Sequence, residues 1–124
     1  MQNKDKKFAG IWLDGKQGII ISETDGEFTI QQRIDLTASQ SGGSEHAMNN
    51  GKKTESAKYF KALGQQLSAF DEIHIFGPGQ AQEQLQHHLM ADGQFSGKKL
   101  TIDSSEKMTE PQLIATVREF YKGR

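Results

Sequence analysis

The chain has 124 residues, of which 34% are hydrophobic, and this length predicts one domain with a real hydrophobic core. The absence of cysteine excludes a disulfide framework, a thiolate metal site and a cysteine nucleophile. The net charge of -1 excludes a chain whose bulk charge binds nucleic acid, although a local basic patch stays open. The charged residues 1–7 are expected to be flexible. They hold no secretory signal, and the short apolar runs predict no membrane span, so we expect a cytoplasmic protein.

Three strands joined by tight turns are predicted before residue 35. Phe8–Leu13 is a continuous apolar run, typical of a strand covered on both faces. Residues 18–22 predict a second strand, and residues 28–34 alternate apolar and polar side chains as a strand with one solvated face does. Asp14-Gly15 and Asp25-Gly26 separate these runs, and such dipeptides favour hairpin turns whose two central residues need positive φ. The pattern predicts an antiparallel meander.

A long polar segment follows at residues 35–53, rich in Ser, Gly and Asn. We interpret it as a loop that ends where Thr54 caps a helix. Loops of this length inside a compact domain are usually functional or disordered. Its candidate functional residues are Gly42, Gly43, Ser44 and His46, although neither a base nor a nucleophile accompanies the histidine.

The rest of the chain alternates helices and strands. Apolar residues recur at three- and four-residue steps in three predicted helices, at 59–70, 81–89 and 113–121. Two further strands are predicted, at 73–76 and 99–102. Thr109 and Gln112 form a capping box before the last helix. The order β-β-β-α-β-α-β-α with right-handed crossovers predicts an α/β, ribonuclease-H-like fold. We expect a mixed five-stranded sheet of order 3-2-1-4-5 with helices on both faces.

A ribonuclease-H-like sheet raises the hypothesis of a metal-dependent nuclease, because such enzymes gather carboxylates around two Mg²⁺ ions. The candidate carboxylates are Asp14, Asp71, Glu72 and Asp103. Turns, strand ends and caps explain them better, so we assign no catalytic residue, metal or cofactor.

The histidines and glycines give no stronger site. His87 and His88 are adjacent on a helix and cannot form an i, i+4 metal pair. His74 is interpreted as a packed or hydrogen-bonded strand residue. Gly77-Pro78-Gly79 lacks the lysine and hydroxyl residue of a Walker motif, and predicts a tight turn that starts a helix.

Positive charge gathers at the end of the polar loop and the start of the first helix. The lysines concerned are Lys52, Lys53, Lys58 and Lys61, with Glu45 and Glu55 as the acidic residues nearby. Contact with phosphates needs a local patch of this kind and not a basic chain. The alternative is an ordinary solvated face.

Four short stretches carry a family resemblance: IWLDGKQGI at 11–19, SAKYF at 56–60, IHIFGPG at 73–79 and KLTID at 99–103. Together they resemble the middle domain of the archaeal and eukaryotic class-1 peptide-chain release factors and of Pelota, in particular its stand-alone bacterial homologues. In the release factors, the loop before the first helix bears a Gly-Gly-Gln motif that promotes hydrolysis of peptidyl-tRNA.

This chain departs from the family at that motif. The corresponding positions are Lys53, Thr54 and Glu55, so peptide release is not carried over, and Gln82 stands where the family commonly has a lysine. The resemblance therefore implies a non-catalytic module, like Pelota, that contacts ribosomal RNA or tRNA through residues 35–61. A protein-interaction domain with a protein partner and a nuclease-like hydrolase are the alternatives, and the oligomeric state stays open.

Overall fold

The computed structural model describes residues 7–35 and 48–122, with side chains in the first helix described from Lys58 onward. The predicted α/β class and order of elements are confirmed. A short 3₁₀ turn at Gly93–Phe95 was not predicted. The main elements are β1 (Phe8–Leu13), β2 (Gln17–Thr24), β3 (Glu27–Asp35), α1 (Met48–Leu67), β4 (Glu72–Gly77), α2 (Ala81–Met90), β5 (Lys99–Ser104) and α3 (Glu110–Tyr121).

The five strands form one sheet in the predicted order β3-β2-β1-β4-β5. β2 is antiparallel to both β1 and β3, whereas β4 is parallel to β1 and to β5. Four strands therefore run in the same direction and end at one edge of the sheet, which we call the carboxyl edge. The residues that end these strands there are Leu13, Asp35, Gly77 and Ser104.

The two hairpin turns differ from each other. Asp25 and Gly26 have φ of 55° and 86°, which confirms the predicted two-residue turn between Thr24 and Glu27. The same prediction for Asp14-Gly15 is wrong, because neither residue has positive φ. The carboxylate of Asp14 instead accepts hydrogen bonds from the backbone N–H groups of Lys16 and Gln17, at 2.8 and 2.9 Å, and this side-chain closure builds a longer turn.

The first helix begins earlier than predicted. α1 starts at Met48, so the predicted loop boundary at Lys53 and the predicted N-cap at Thr54 are wrong. Apolar periodicity locates only the part of a helix that packs, and here that part begins near Tyr59. A packed helix extends through polar residues because each added residue contributes a hydrogen bond without a new nucleation cost.

The core lies on both faces of the sheet. α1 and α2 cover one face, where Tyr59, Leu63 and Leu85 pack against Ile11 and other inward side chains of β1 and β4. α3 covers the other face, and its buried residues pack against a cluster from β1, β2 and β4, namely Trp12, Ile19, Ile21 and Phe76. β1 is therefore covered on both faces, as its apolar run predicts.

The ends of α3 are fixed by specific contacts. Thr109 Oγ1 accepts from the N–H of Gln112 at 3.3 Å and Gln112 Oε1 accepts from the N–H of Thr109 at 2.9 Å, which confirms the predicted capping box. At the other end, the Tyr121 hydroxyl donates to the carbonyl of Ala9 at 3.0 Å. Among the helices of the described ranges, none has the length and apolar content needed to cross a membrane.

Candidate functional site

The carboxyl edge is where the chain leaves the sheet toward the predicted functional segment. The backbone exits β3 at Asp35 and re-enters the described structure at Met48, the first residue of α1. Gly42, Gly43, Ser44 and His46 lie between these points, outside the described residues. Both ends of that segment are thus joined to elements that meet the carboxyl edge.

Tyr59 anchors α1 at this edge. Its side chain is 1% exposed, and its hydroxyl donates to the carbonyl of Asp14 at 3.1 Å, at the end of β1. Burial raises the pKa of Tyr59 well above its usual range, and the nearby carboxylates of Asp14 and Asp35 raise it further. The hydroxyl therefore stays protonated and remains a hydrogen-bond donor over the physiological pH range.

Two of the four predicted contact lysines lie together on α1. Lys58 and Lys61 are exposed, and their spacing of three residues makes them neighbours on one side of the helix. Lys52 and Lys53 belong to the first two turns of the same helix, and their side chains lie outside the described part of the chain.

Charge is distributed unevenly between α1 and the rest of the chain. The helix contains four lysines and one glutamate, a formal charge of +3, while the whole chain carries -1. The remaining residues therefore carry a net charge of -4. On the opposite side of the carboxyl edge, near the end of β5, Asp103 and Glu106 are exposed. Net positive charge is therefore concentrated in α1, the helix that overlaps the end of the predicted 35–53 loop.

The glycine-proline turn has a structural role. Gly77-Pro78-Gly79 connects β4 to α2, as predicted. Gln82 is 2% exposed and donates through Nε2 to the carbonyl of Gly77 at 3.0 Å, which also accepts from the N–H of Ser105 at 2.7 Å. The sequence interpretation missed this closure, although the three-residue step from Gln82 to Leu85 places it on the buried side of α2.

His74 is a packed and hydrogen-bonded strand residue, as predicted. Its Nε2 lies 2.7 Å from Oδ2 of Asp103, and its ring stacks with Phe76 and Phe120 at centroid distances of 4.8 and 3.9 Å. The sequence did not reveal this partner. The available signal was the alternation of two neighbouring parallel strands, which places both residues on the α3 face.

The candidate carboxylates do not form a metal site in the described ranges. Asp14 closes a turn, Asp71 accepts from the N–H of Lys7 at 2.8 Å, and Asp103 contacts His74. Among the described side chains, those of residues 7–35 and 58–122, no three His, Asp or Glu side chains come together in an arrangement that could hold a metal ion. The nuclease hypothesis therefore has no support from these residues.

Comparison with known proteins gives a likeness in structure. No family model matches the sequence, and no curated protein matches it. Archaeoglobus fulgidus Pelota matches 96% of the chain at 8% identity and a TM-score of 0.64. The archaeal translation termination factor aRF1 matches 91% of the chain at 12% identity and a TM-score of 0.58. Dom34 of S. cerevisiae, a translation termination-like factor, matches 81% of the chain at 14% identity and a TM-score of 0.56.

The chain has the fold of one part of Pelota and aRF1. It spans about a third of the length of these proteins. The predicted resemblance to the release factor and Pelota family is thereby confirmed at the level of fold, and the matched share agrees with a likeness to a single domain.

Proposed function

We propose that this chain is a non-catalytic, translation-associated module that binds ribosomal RNA or tRNA through residues 35–61. The observation that supports the proposal most strongly is the concentration of positive charge in α1, a helix with +3 in a chain with -1. This helix is anchored to the carboxyl edge through Tyr59, and it follows the segment that the family resemblance identifies as the ribosome-facing loop.

The fold supports a role in translation. Pelota and aRF1 share it, and Dom34 of S. cerevisiae is described as involved in RNA quality control and as interacting with Hbs1. For this chain we infer the ribosome as partner and the cytoplasm as its location. Lys53, Thr54 and Glu55 replace the Gly-Gly-Gln motif of the release factors, so the inferred role is binding without peptide release and without a cofactor.

Binding through lysines has a defined salt dependence. Each lysine that neutralises a phosphate releases a counterion, which lowers affinity as salt rises. Four such contacts would weaken binding by roughly 100-fold between about 50 and about 200 mM salt. Lys58 and Lys61 are exposed and would form these contacts without rearrangement of the core.

Co-sedimentation with purified ribosomes at low and high salt tests the proposal. The test variant reverses the four α1 charges, with Lys52, Lys53, Lys58 and Lys61 changed to Glu. The control reverses four exposed charges elsewhere, with Lys7, Lys107, Arg118 and Lys122 changed to Glu, and so has the same net charge. We expect the α1 variant to lose binding and the control to retain most of it.

Other outcomes would contradict the proposal. Equal losses in the two variants would mean that only total charge matters, and binding that is indifferent to salt would exclude phosphate contacts. Binding that survives complete ribonuclease digestion of the ribosomes would favour the protein-interaction alternative.

A further inference from the structure

The strand β5 forms one edge of the sheet. It pairs with β4 on its inner side in a continuous parallel register, and no strand of the described residues pairs with its outer side. The N–H of Lys99 donates to the carbonyl of Asp71 and the N–H of Ser105 to that of Gly77, both inward. Because successive residues of a strand alternate, the backbone groups of Leu100 and Ile102 face the outer edge. Such an edge is a template for another strand.

The other edge of the sheet is less suited to pairing. The register between β2 and β3 shifts at Ile20 and Ile21, so that β3 carries a bulge. Bulges twist an edge strand and disturb the regular spacing that a further strand would need. In addition, Arg33 of β3 forms an ion pair with Glu110 of α3. The regular edge is therefore β5.

The sequence of β5, Lys-Leu-Thr-Ile-Asp-Ser, complements itself when it is reversed. We propose that two copies of this chain associate by antiparallel pairing of their β5 strands, centred on Thr101. In this register Lys99 lies opposite Asp103 of the second copy, and Leu100 lies opposite Ile102. The contact is isologous, so each interaction occurs twice.

The backbone directions agree with this register. Leu100 and Ile102 both face the outer edge, so they form the hydrogen-bonded pairs, with four backbone hydrogen bonds across the two-fold axis. Lys99, Thr101 and Asp103 occupy the other pairs, in which opposite side chains approach more closely. The two charged pairs thus lie where their attraction is strongest.

The charged side chains are available for this contact. Lys99 is exposed, and the side chain of Asp103 is 55% exposed. His74 holds Oδ2 of Asp103 at 2.7 Å, which fixes the carboxylate at the edge. A carboxylate has two oxygens that accept hydrogen bonds, so Oδ1 is available to Lys99 of the second copy.

The apolar side of the strand extends the contact. Leu100 and Ile102 are half-buried against the α1 and α2 core. Beside Leu100 lies a cleft of about 270 Å³, lined also by Phe95 and by Met90, which is 66% exposed. A second β5 strand would place its own Leu100 and Ile102 next to this cleft and cover apolar surface that is otherwise open to water.

The arrangement leaves the proposed RNA-binding surface accessible. Edge pairing of this kind joins the two sheets into one of ten strands, with α1 and α2 of both copies on the same face. α1 contacts β3, at the edge of the sheet opposite β5. The dimer and the proposed function are therefore independent, and either can fail without the other.

Sedimentation equilibrium over increasing concentrations of the full chain tests the dimer. Lys99→Glu places two glutamates opposite two aspartates, and we expect the dimer dissociation constant to rise at least about tenfold. Asp103→Lys places lysine opposite lysine, with the same expected effect. Lys122→Glu makes the same charge change away from β5 and should leave the dissociation constant unchanged.

A mixture of the two charge variants gives the sharpest result. A heterodimer of Lys99→Glu with Asp103→Lys has opposite charges in both pairs, so we expect the mixture to dimerise although neither variant does so alone. If loss of the His74 contact unfolds Asp103→Lys, Asp103→Asn keeps a hydrogen-bonding group, and it should weaken dimerisation of the folded chain. A wild-type chain that stays monomeric at all concentrations, or Lys99→Glu that dimerises like wild type, would overturn the proposal.

Discussion

The helices α1 and α3 pack against opposite faces of one sheet and differ in what their sequences specify. α3 has 12 residues, a capping box at its start, and a tyrosine at its end bound to β1. α1 has 20 residues and a formal charge of +3. Its buried Tyr59 donates a hydrogen bond to the carbonyl of Asp14 at the carboxyl edge. The capping box and the terminal tyrosine of α3 serve folding. The lysines of α1 are the basis of the RNA contact that we propose.

Both helices lie close to a glycine in the sheet, and enlarging these glycines tests the packing of each. An added Cβ at Gly10 would lie 2.3 Å from Cγ2 of Val117 in α3, and at Gly18 it would lie 2.8 Å from Cδ2 of Leu63 in α1. Valine is stiff at χ1, while the end of a leucine side chain moves more easily. We expect Gly10→Ala to lower the free energy of unfolding by about 3 kcal/mol and Gly18→Ala by about 1 kcal/mol.

Urea unfolding of both variants measures this difference, with Gly97→Ala as control because an added Cβ there meets no atom within 4 Å. The control should change stability by less than about 0.5 kcal/mol. If Gly18→Ala is the more damaging, the expectation that Val117 yields less than Leu63 to an added Cβ is wrong.

The anchor of α1 predicts an alkaline limit on stability. Burial raises the pKa of Tyr59 in the folded chain, whereas in the unfolded chain the phenol titrates near its usual value. The contribution of the protonated Tyr59 hydroxyl to the free energy of unfolding is therefore complete below that usual pKa, and it is lost as pH rises above it. Between about pH 9 and about pH 11, wild type should lose about 1.4 kcal/mol more than Tyr59→Phe.

Tyr59→Phe also removes the hydrogen bond to Asp14, so it should be less stable than wild type by about 1 kcal/mol at neutral pH. Urea unfolding at several pH values measures both effects. Parallel loss of stability in the two proteins on the alkaline side would show that Tyr59 is not held protonated by its surroundings.

The caps of two helices offer a comparison of smaller effects. Thr109 accepts a hydrogen bond at the start of α3, whereas Gln80 at the start of α2 makes no side-chain cap. Thr109→Ala should therefore lower the free energy of unfolding by about 1 kcal/mol, and Gln80→Ala should change it little. Thermal unfolding of the two variants would reveal equal effects if the cap contributed nothing.

The parts of the fold that were predicted correctly depend on local sequence signals and on the rules of strand connection. The capping box of α3, the Asp25-Gly26 turn and the apolar periods each depend on neighbouring residues, and the handedness of crossovers then orders the strands. The predicted two-residue turn at Asp14-Gly15 was wrong, because the Asp14 side chain, and not a positive φ, closes the turn. The contact of His74 with Asp103 joins residues 29 apart in the chain, and no pattern among neighbouring residues predicts it.

The candidate site was harder to predict than the fold. The start of α1 carries no apolar period, so pattern reading placed it in a loop. Gln82 was compared with a family lysine, but in this chain it is buried and closes the turn after β4. The exposure of Lys58 and Lys61 follows directly from the helical period, because Tyr59 and Leu63 face the core.

The most direct test of α1 as the RNA-binding helix is the salt dependence of ribosome binding. The measurement is the slope of log K against log salt for wild type and for the double variant Lys58→Ala and Lys61→Ala. Two lost phosphate contacts should reduce the magnitude of the slope by about 1.5, while the same change at Lys7 and Lys122 should leave it unaltered. An unchanged slope in the α1 variant would contradict the account.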